Sequence, residues 1–292
     1  MRVALVITDE DFYAGTGYAQ AWTRALQDEG CEVERLARVP AAWGSRGPEP
    51  GRYDLAVAHV LVEEVAALAP TLRVAAVLEA CGVPLLNPVA SLVASSDKLV
   101  THAVWAAAGL PQPATWDLDG VREWPAPGRP VVLKPSLCDG ARHVQLVHDL
   151  DEARSAVAAW RADEAAGGER RGTALLQEWV ERPACVRLYA TPEDTSPAYE
   201  KSREQDALVT HGTVYARTYP PPEPLAALAR RMVASLGGGL MGVDVLLDGA
   251  GRALALEANA PFGFDVTDPE QGRWIARAAI GAARRGAPPR AA

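Results

Sequence analysis

The sequence predicts a mixed α/β (α+β) protein in which an N-terminal parallel α/β lobe precedes a strand-dense half. Three observations carry that prediction. Strands alternate with helices through residues 1–88, the pattern of a parallel sheet. From residue 130 onward, strand-like segments outnumber helices, which favours antiparallel sheet. Near the C-terminus two apolar runs, MGVDVLLD (241–248) and LALEANAPFGF (254–264), are joined through the turn Asp248-Gly249-Ala250-Gly251.

Taken in order, RVALVIT (2–8) is short, apolar and β-branched, hence a buried strand. A glycine-bearing loop leads to a helix near 18–29 that stops at Gly30. CEVERLARV and DLAVAHVL (54–61) read as the second and third strands. VEEVAALAPTLRVAAVLEACG (62–82) is helical, ends at Gly82 and is broken at Pro70, which lacks the N–H a helix interior needs. VPLLNP is a short strand closed by Asn87-Pro88. One helix is expected over roughly 89–108, carrying Asp97-Lys98 and stopping at Gly109, and the proline-rich stretch 111–130 reads as a connector. PVVLKPS (130–136) and TALLQEWV (173–180) bracket a helix near 149–166. VRLYAT, SPAYEKS and LVTHGTVYART then precede a helix near 223–236 and the two C-terminal runs. The tail from 284 is expected to be disordered.

Composition narrows the function. The chain has 292 residues, 49% of them hydrophobic, enough for more than one lobe. A net charge of −8 argues against nucleic acid as partner, because phosphate neutralisation needs clustered Lys and Arg. No run approaches the length of a membrane span, and the N-terminus lacks a signal-peptide pattern. Cys31, Cys81, Cys138 and Cys185 are scattered, without zinc spacing or a disulfide framework, so a reducing cytoplasm is the expected setting.

The candidate site is built from charged residues at strand ends. Glue for a hard cation is offered by Glu257 and Asn259, which share one strand face, and by Asp244 if the two runs pair. Two carboxylates and an amide oxygen suit Mg²⁺ (or Mn²⁺), one or two ions, with room for phosphates. Lys134 ends a buried strand before the loop SLCDGARHV, whose backbone N–H groups are able to cradle a phosphate. Lys98 follows Asp97 on its helix. Gln177 and Glu178 sit at a hinge suited to an adenine amino group or a ribose hydroxyl. Arg187 lies mid-strand with a fork fitted to phosphate or carboxylate. Lys201, Arg203, His211 and Arg217 stand where a carboxylate substrate would be gripped.

The order of these motifs resembles the ATP-grasp superfamily, in particular its RimK-like branch, named for ribosomal S6 glutamate ligase. The series runs Asn-Pro, Asp-Lys, Gly-Leu-Pro-x-Pro, Val-Val-Leu-Lys-Pro, Gln-Glu-Trp-Val, Val-Arg-Leu, Gly-Val-Asp-Val-Leu and Leu-Glu-Ala-Asn, over residues 85–265. The resemblance implies an N-terminal pre-ATP-grasp lobe (1–88), a central lobe with the glycine-containing loop (89–180) and a C-terminal lobe with the metal site (181–283), the last two clamping ATP. It implies that Lys98 and Lys134 contact the phosphates, that Ser136 and Gly140 belong to the loop over them, and that Glu178, Val180 and Glu181 line the adenine and ribose. Arg187 would neutralise charge during transfer, and Asp244, Glu257 and Asn259 would hold Mg²⁺. The implied activity is ATP-dependent carboxylate–amine ligation through an acyl phosphate. Its substrates would be small-molecule or peptide carboxylates and amines; association into a homo-oligomer stays open. The chain departs from the pattern at Cys185-Val186-Arg187, where relatives often carry Asp-x-Arg, and in its single loop glycine. Those departures motivate a second reading, a catalytically inactive ATP-binding regulatory protein on the same fold.

Overall fold

A computed structural model describes residues 1–8, 17–43, 47–60, 65, 68–138, 142–168, 170–181, 184–201, 215–260, 262–265 and 267–286. Its N-terminal sheet has the order β2-β1-β3, from Arg2–Val6 (β1), Glu32–Leu36 (β2) and Leu55–Ala58 (β3), all parallel. Leu85 adds a single parallel bridge beside Ala56. β1 and β3 are almost continuously apolar because both their faces are covered, whereas the edge strand β2, Glu-Val-Glu-Arg-Leu, buries only Leu36. Helix Tyr18–Asp28 (α1) ends where Gly30 takes φ 77°, and Gly82, at φ 78°, does the same for helix Pro70–Ala80 (α2). Pro70 opens α2 rather than interrupting it, since its absent N–H is harmless in a first turn.

The single helix expected over 89–108 is two: Val89–Ser96 (α3) and Lys98–Ala107 (α4). Asp97 between them is extended, at φ −104° and ψ 111°, and its carboxylate accepts from the N–H groups of Leu99 and Val100. Aspartate competes with the helix by capping a new one, and that local preference breaks the run.

Two antiparallel sheets follow, as expected. Thr115–Asp117 (β4), Val131–Pro135 (β5), Gln145–Val147 (β6) and Ala174–Glu178 (β7) form a sheet of order β4-β7-β5-β6, backed by helix Leu150–Ala165 (α5). Its core, with Leu133, Val147, Val157 and Leu176, is separate from the rest. Ala184–Ala190 (β8), Ala198–Lys201 (β9), Tyr215–Tyr219 (β10), Met241–Leu247 (β11) and Ala253–Asn259 (β12) form the larger sheet, order β10-β9-β8-β11-β12. Helix Glu223–Ser235 (α6) packs on β8, β11 and β12 of this sheet, and helix Pro269–Gly286 (α7) packs against α1 and β3 of the N-terminal lobe. This sheet shares its cores with the N-terminal strands: Ala4, Val6 and Ala56 lie in one cluster with Leu188, Val243 and Val245. Leu92 of α3 and Trp105 of α4 belong to that cluster too, so the 89–107 helices are packed with the outer lobes although the chain continues into the central sheet.

Asn87 locks the junction. Its Nδ2 donates to the Leu240 carbonyl at 2.8 Å, and its Oδ1 accepts from the N–H groups of Gly239 and Leu240. A side chain at Gly239 would place its Cβ 2.1 Å from the Leu86 carbonyl oxygen, so only glycine allows this approach.

Candidate active site

The two C-terminal runs pair as the sequence suggests. Asp244 stands opposite Glu257 on β12 and opposite Arg187 on β8, and Gly242 stands opposite Asn259. Directly paired residues share a face, so Arg187, Asp244 and Glu257 project together, with Asn259 one step along. Lys201 joins them, two residues after Tyr199, which pairs with Arg187. A bulge between Asp244 and Val245 re-aims this end of the ladder.

Asp244 is 2% exposed and fully engaged. Arg187 Nε donates to its Oδ1 at 2.6 Å and Nη2 to its Oδ2 at 2.7 Å, while Lys201 Nζ donates to Oδ2 at 3.0 Å. Burial alone would raise the Asp244 pKa, but Arg187 and Lys201 outweigh it and hold the carboxyl well below its usual range. One buried anion thus faces two cations, and an incoming anion would balance the excess. A Cβ at Gly242 would meet Phe262 at 2.7 Å and Arg187 Nη1 at 3.3 Å, so glycine makes the room that this fork occupies.

Lys98 connects this face to the central lobe. Its Nζ lies 3.1 Å from Glu257 Oε1 and also donates to the Cys138 carbonyl in the loop after β5. Lys134 is 6% exposed and donates to Gln177 Oε1 at 2.9 Å. Burial, and then the neighbouring charge of Lys98, push its pKa down to about 7. Gln177 Nε2 in turn donates to Thr115 Oγ1 and faces His102 Nε2 at 3.0 Å. His102 Nδ1 meets Gln112 Oε1 at 2.6 Å, so Nδ1 carries the proton and Nε2 accepts. Burial, with Lys134 second, lowers the His102 pKa to about 3 and keeps the ring neutral. Neutral partners beneath Lys134 leave its ammonium free to answer an external anion.

Several sequence-predicted residues are placed otherwise than expected. Ser136 is fully buried, its Oγ donating to Asp97 Oδ2 and accepting from the Thr173 N–H, so it anchors the loop rather than reaching over a phosphate. The Gln177 side chain supports Lys134 instead of facing a base. Arg217 pairs with Glu200 at 2.6 Å and lies over the Tyr219 ring, on the sheet face away from Arg187, because Glu200 alternates with Lys201. Glu178 is exposed at the strand end, where its carboxylate accepts from the Ala114 N–H at 3.3 Å, with Val180 half-buried and Glu181 exposed beyond it. Gly140, Arg203 and His211 lie outside the described residues, as do 287–292; of the tail expected to be disordered from 284, residues 284–286 instead continue helix Pro269–Gly286. The sequence reading missed His102, Thr115 and Asp97 as the support of the two lysines; only the capping pattern Asp97-Lys98 carried a signal for any of them.

The donor set fits a magnesium-like ion. Glu257 and Asn259 would offer oxygens from one strand, and Asp244 retains one of about four lone-pair positions after its three hydrogen bonds. Among the described residues no three His, Cys, Asp or Glu side chains form a metal cluster, so the amide of Asn259 is needed to complete the set.

No protein-family model matches the sequence. Solved structures do match. D-cycloserine synthetase DcsG is 20% identical, with a TM-score of 0.66 over 97% of this chain and 100% of that one. A RimK-domain ATP-grasp protein from Sphaerobacter thermophilus is 24% identical, with a TM-score of 0.61 over 97% and 98%. The ATP-grasp ligase PsnB, in complex with a phosphomimetic variant of its minimal precursor, Mg and ADP, is 16% identical, with a TM-score of 0.69 over 97% and 98%. With likeness over nearly the whole length of each chain, this protein has the ATP-grasp fold.

Proposed function

We propose that the chain is an ATP-dependent carboxylate–amine ligase that forms an amide through an acyl phosphate. The observation that carries the reading is the position of Lys98. It joins the loop after β5 to Glu257, so the loop that would bind phosphate and the strand that would hold the cation meet at one place. Lys98 and Lys134 would hold the phosphates. Arg187 and Lys201, with their one spare positive charge, would seat the substrate carboxylate and the phosphoryl group it accepts. Glu257, Asn259 and Asp244 would hold Mg²⁺, which when bound shields charge on the phosphates. In balance, a carboxylate oxygen attacks the γ-phosphorus and ADP leaves. The amine then attacks the acyl carbon, loses a proton, and inorganic phosphate departs with the former carboxylate oxygen.

Two neighbours narrow the substrate class. PsnB is described in complex with a precursor peptide, and DcsG as a synthetase of D-cycloserine. Peptide or amino-acid carboxylates and amines are the corresponding proposal here. The acidic net charge speaks for partners other than nucleic acid, and the four cysteines lack the spacing of a zinc site or a disulfide framework, which suits a reducing cytoplasm; no helix among the described residues is long and apolar enough to cross a membrane.

The reading is tested by supplying ¹⁸O-carboxyl amino acids and peptides with Mg·ATP. One label should appear in the released phosphate for the true substrate. Amide formation without label transfer would remove the acyl phosphate. Nucleotide binding without ADP release across the panel would favour the inactive regulatory reading.

The lowered pKa of Lys134 gives a separate expectation. Free, it is charged below about pH 7 and neutral above; phosphate beside it favours the charged form. Nucleotide binding at pH 8 should therefore take up close to one proton, and affinity should fall as pH rises above 7. Calorimetry in buffers of different ionisation enthalpy reads this uptake, and a buffer-independent enthalpy at pH 8 would remove Lys134 from the phosphate site. For the free fold the sign is the opposite of a salt bridge: the charged lysine is destabilising below pH 7, and stability recovers between about 7 and the ordinary 10.5.

A further inference from the structure

The hydrogen bonds beneath Lys134 have a direction, and it is set from one end. Gln112 Nε2 donates to the His102 carbonyl at 2.9 Å, which turns Gln112 Oε1 toward His102 Nδ1. An amide oxygen only accepts, so the proton of this neutral ring stands on Nδ1 and Nε2 is left as an acceptor. Gln177 Nε2 supplies the matching donor at 3.0 Å. Thr115 acts in the same sense: its Oγ1 donates to the Pro113 carbonyl at 3.1 Å and accepts from Gln177 Nε2 at 2.9 Å. Both hydrogens of the Gln177 amide are therefore committed, and its oxygen accepts from Lys134 Nζ at 2.9 Å. A flipped amide would set its N–H groups against the ammonium and its oxygen against the bare Nε2.

His102 and Gln177 are buried like Lys134 itself, and in that setting a mismatched donor or acceptor is costly. The ring is also held by packing. It meets Trp105 edge-on, with centroids 5.6 Å apart, and Trp105 Nε1 donates to the Met232 carbonyl of α6 at 3.2 Å. His102 stands one turn along α4 from Lys98, on the same helix face. One helix thus reaches both lysines: it carries Lys98 itself and touches Lys134 through His102 and Gln177.

We propose that His102 is a positioning residue for nucleotide phosphate: with its tautomer fixed by Gln112, it holds the Gln177 amide so that the Lys134 ammonium keeps one aim. The proposal rests on the phosphate role given to Lys134 in the ligase reading and adds the group that sets it. A lysine side chain has large rotamer freedom, and ordering it before the nucleotide arrives removes that cost from binding.

The test is a double-mutant cycle on the Mg·ATP dissociation constant, measured by titration calorimetry of the full chain with His102→Leu, Lys134→Met and both together. His102→Leu should weaken binding about tenfold, within the range for groups joined in one hydrogen-bond network, and should add nothing once Lys134 is replaced. A residue that only supports the fold would weaken binding equally in both backgrounds, and that result overturns the proposal. His102→Gln, whose Oε1 is able to take the place of Nε2 as acceptor, should restore most of the affinity; no recovery would count against the relay. In ¹⁵N-histidine-labelled protein, the His102 signal, assigned by its loss in His102→Gln, should show a protonated Nδ1 and a bare Nε2 across the neutral range. The opposite tautomer would overturn the relay. If His102→Leu does not fold, Gln177→Met, which cuts the next link, replaces it in the cycle. Wild-type affinity in Lys134→Met would remove the phosphate reading itself. A weakened Lys134→Met beside an unchanged His102→Leu would remove the relay alone.

Discussion

Asp244→Ala will destabilise the fold by about 3–5 kcal/mol, the typical consequence of removing one partner from a buried ion pair. The expectation comes from the three hydrogen bonds that Arg187 and Lys201 make to this carboxylate. Without it, two cations remain buried with nothing opposite. Urea unfolding reads the loss directly. The double variant Asp244→Ala with Lys201→Met should recover a large part of it, because one stranded charge is gone. A single-variant loss below about 1 kcal/mol, the range of exposed pairs, would mean that solvent reaches the cluster. The pH dependence has a fixed sign. A depressed carboxylate pKa contributes stability above its unfolded value near 3.8, and that contribution disappears as pH falls below it. Wild type should therefore lose stability on acidification, and Asp244→Ala should lose less.

Lys134→Met will reverse that relation between stability and function. The lysine is buried, carries a lowered pKa and donates to the Gln177 oxygen on its own sheet. Methionine of similar length removes a costly buried charge but strands Gln177 Oε1, so the two effects offset and the chain stays folded. ADP release should fall by about 10²–10³, the usual loss when one preorganised group that stabilises transition-state charge is deleted. The measurement is kcat/KM for ATP alongside Tm. Full turnover in a folded Lys134→Met protein would place the phosphates elsewhere.

The contrast between these residues explains what was legible in the sequence. Period-two patterning and the Asp248–Gly251 turn fixed the pairing of β11 with β12, so the face shared by Asp244 and Glu257 was readable before any coordinates. Lys98 and Lys134 were readable as strand-end and helix-start cations. Long-range partners were not. Nothing local tells that Gln177 turns inward to Lys134 and His102, because both choices give the same alternation along β7. Ser136 looks like a loop hydroxyl until Asp97 and Thr173 arrive from distant segments to consume it. The break at Asp97 was a local signal underweighted against a helix-compatible run on both sides. Arg217 shows the opposite error: charge was visible, but the face it occupies depended on a bulge in the β9–β10 ladder.

The central claim is that Lys98, Lys134 and Glu257 frame a Mg·nucleotide site. Titration calorimetry of ATP into wild type and Glu257→Ala, each with Mg²⁺ and with EDTA, tests it most directly. The account predicts saturable binding in wild type that weakens when Mg²⁺ is chelated. In Glu257→Ala the response to Mg²⁺ should be lost. Absence of ATP binding in a folded wild-type protein, or an identical response to Mg²⁺ in the variant, would contradict it.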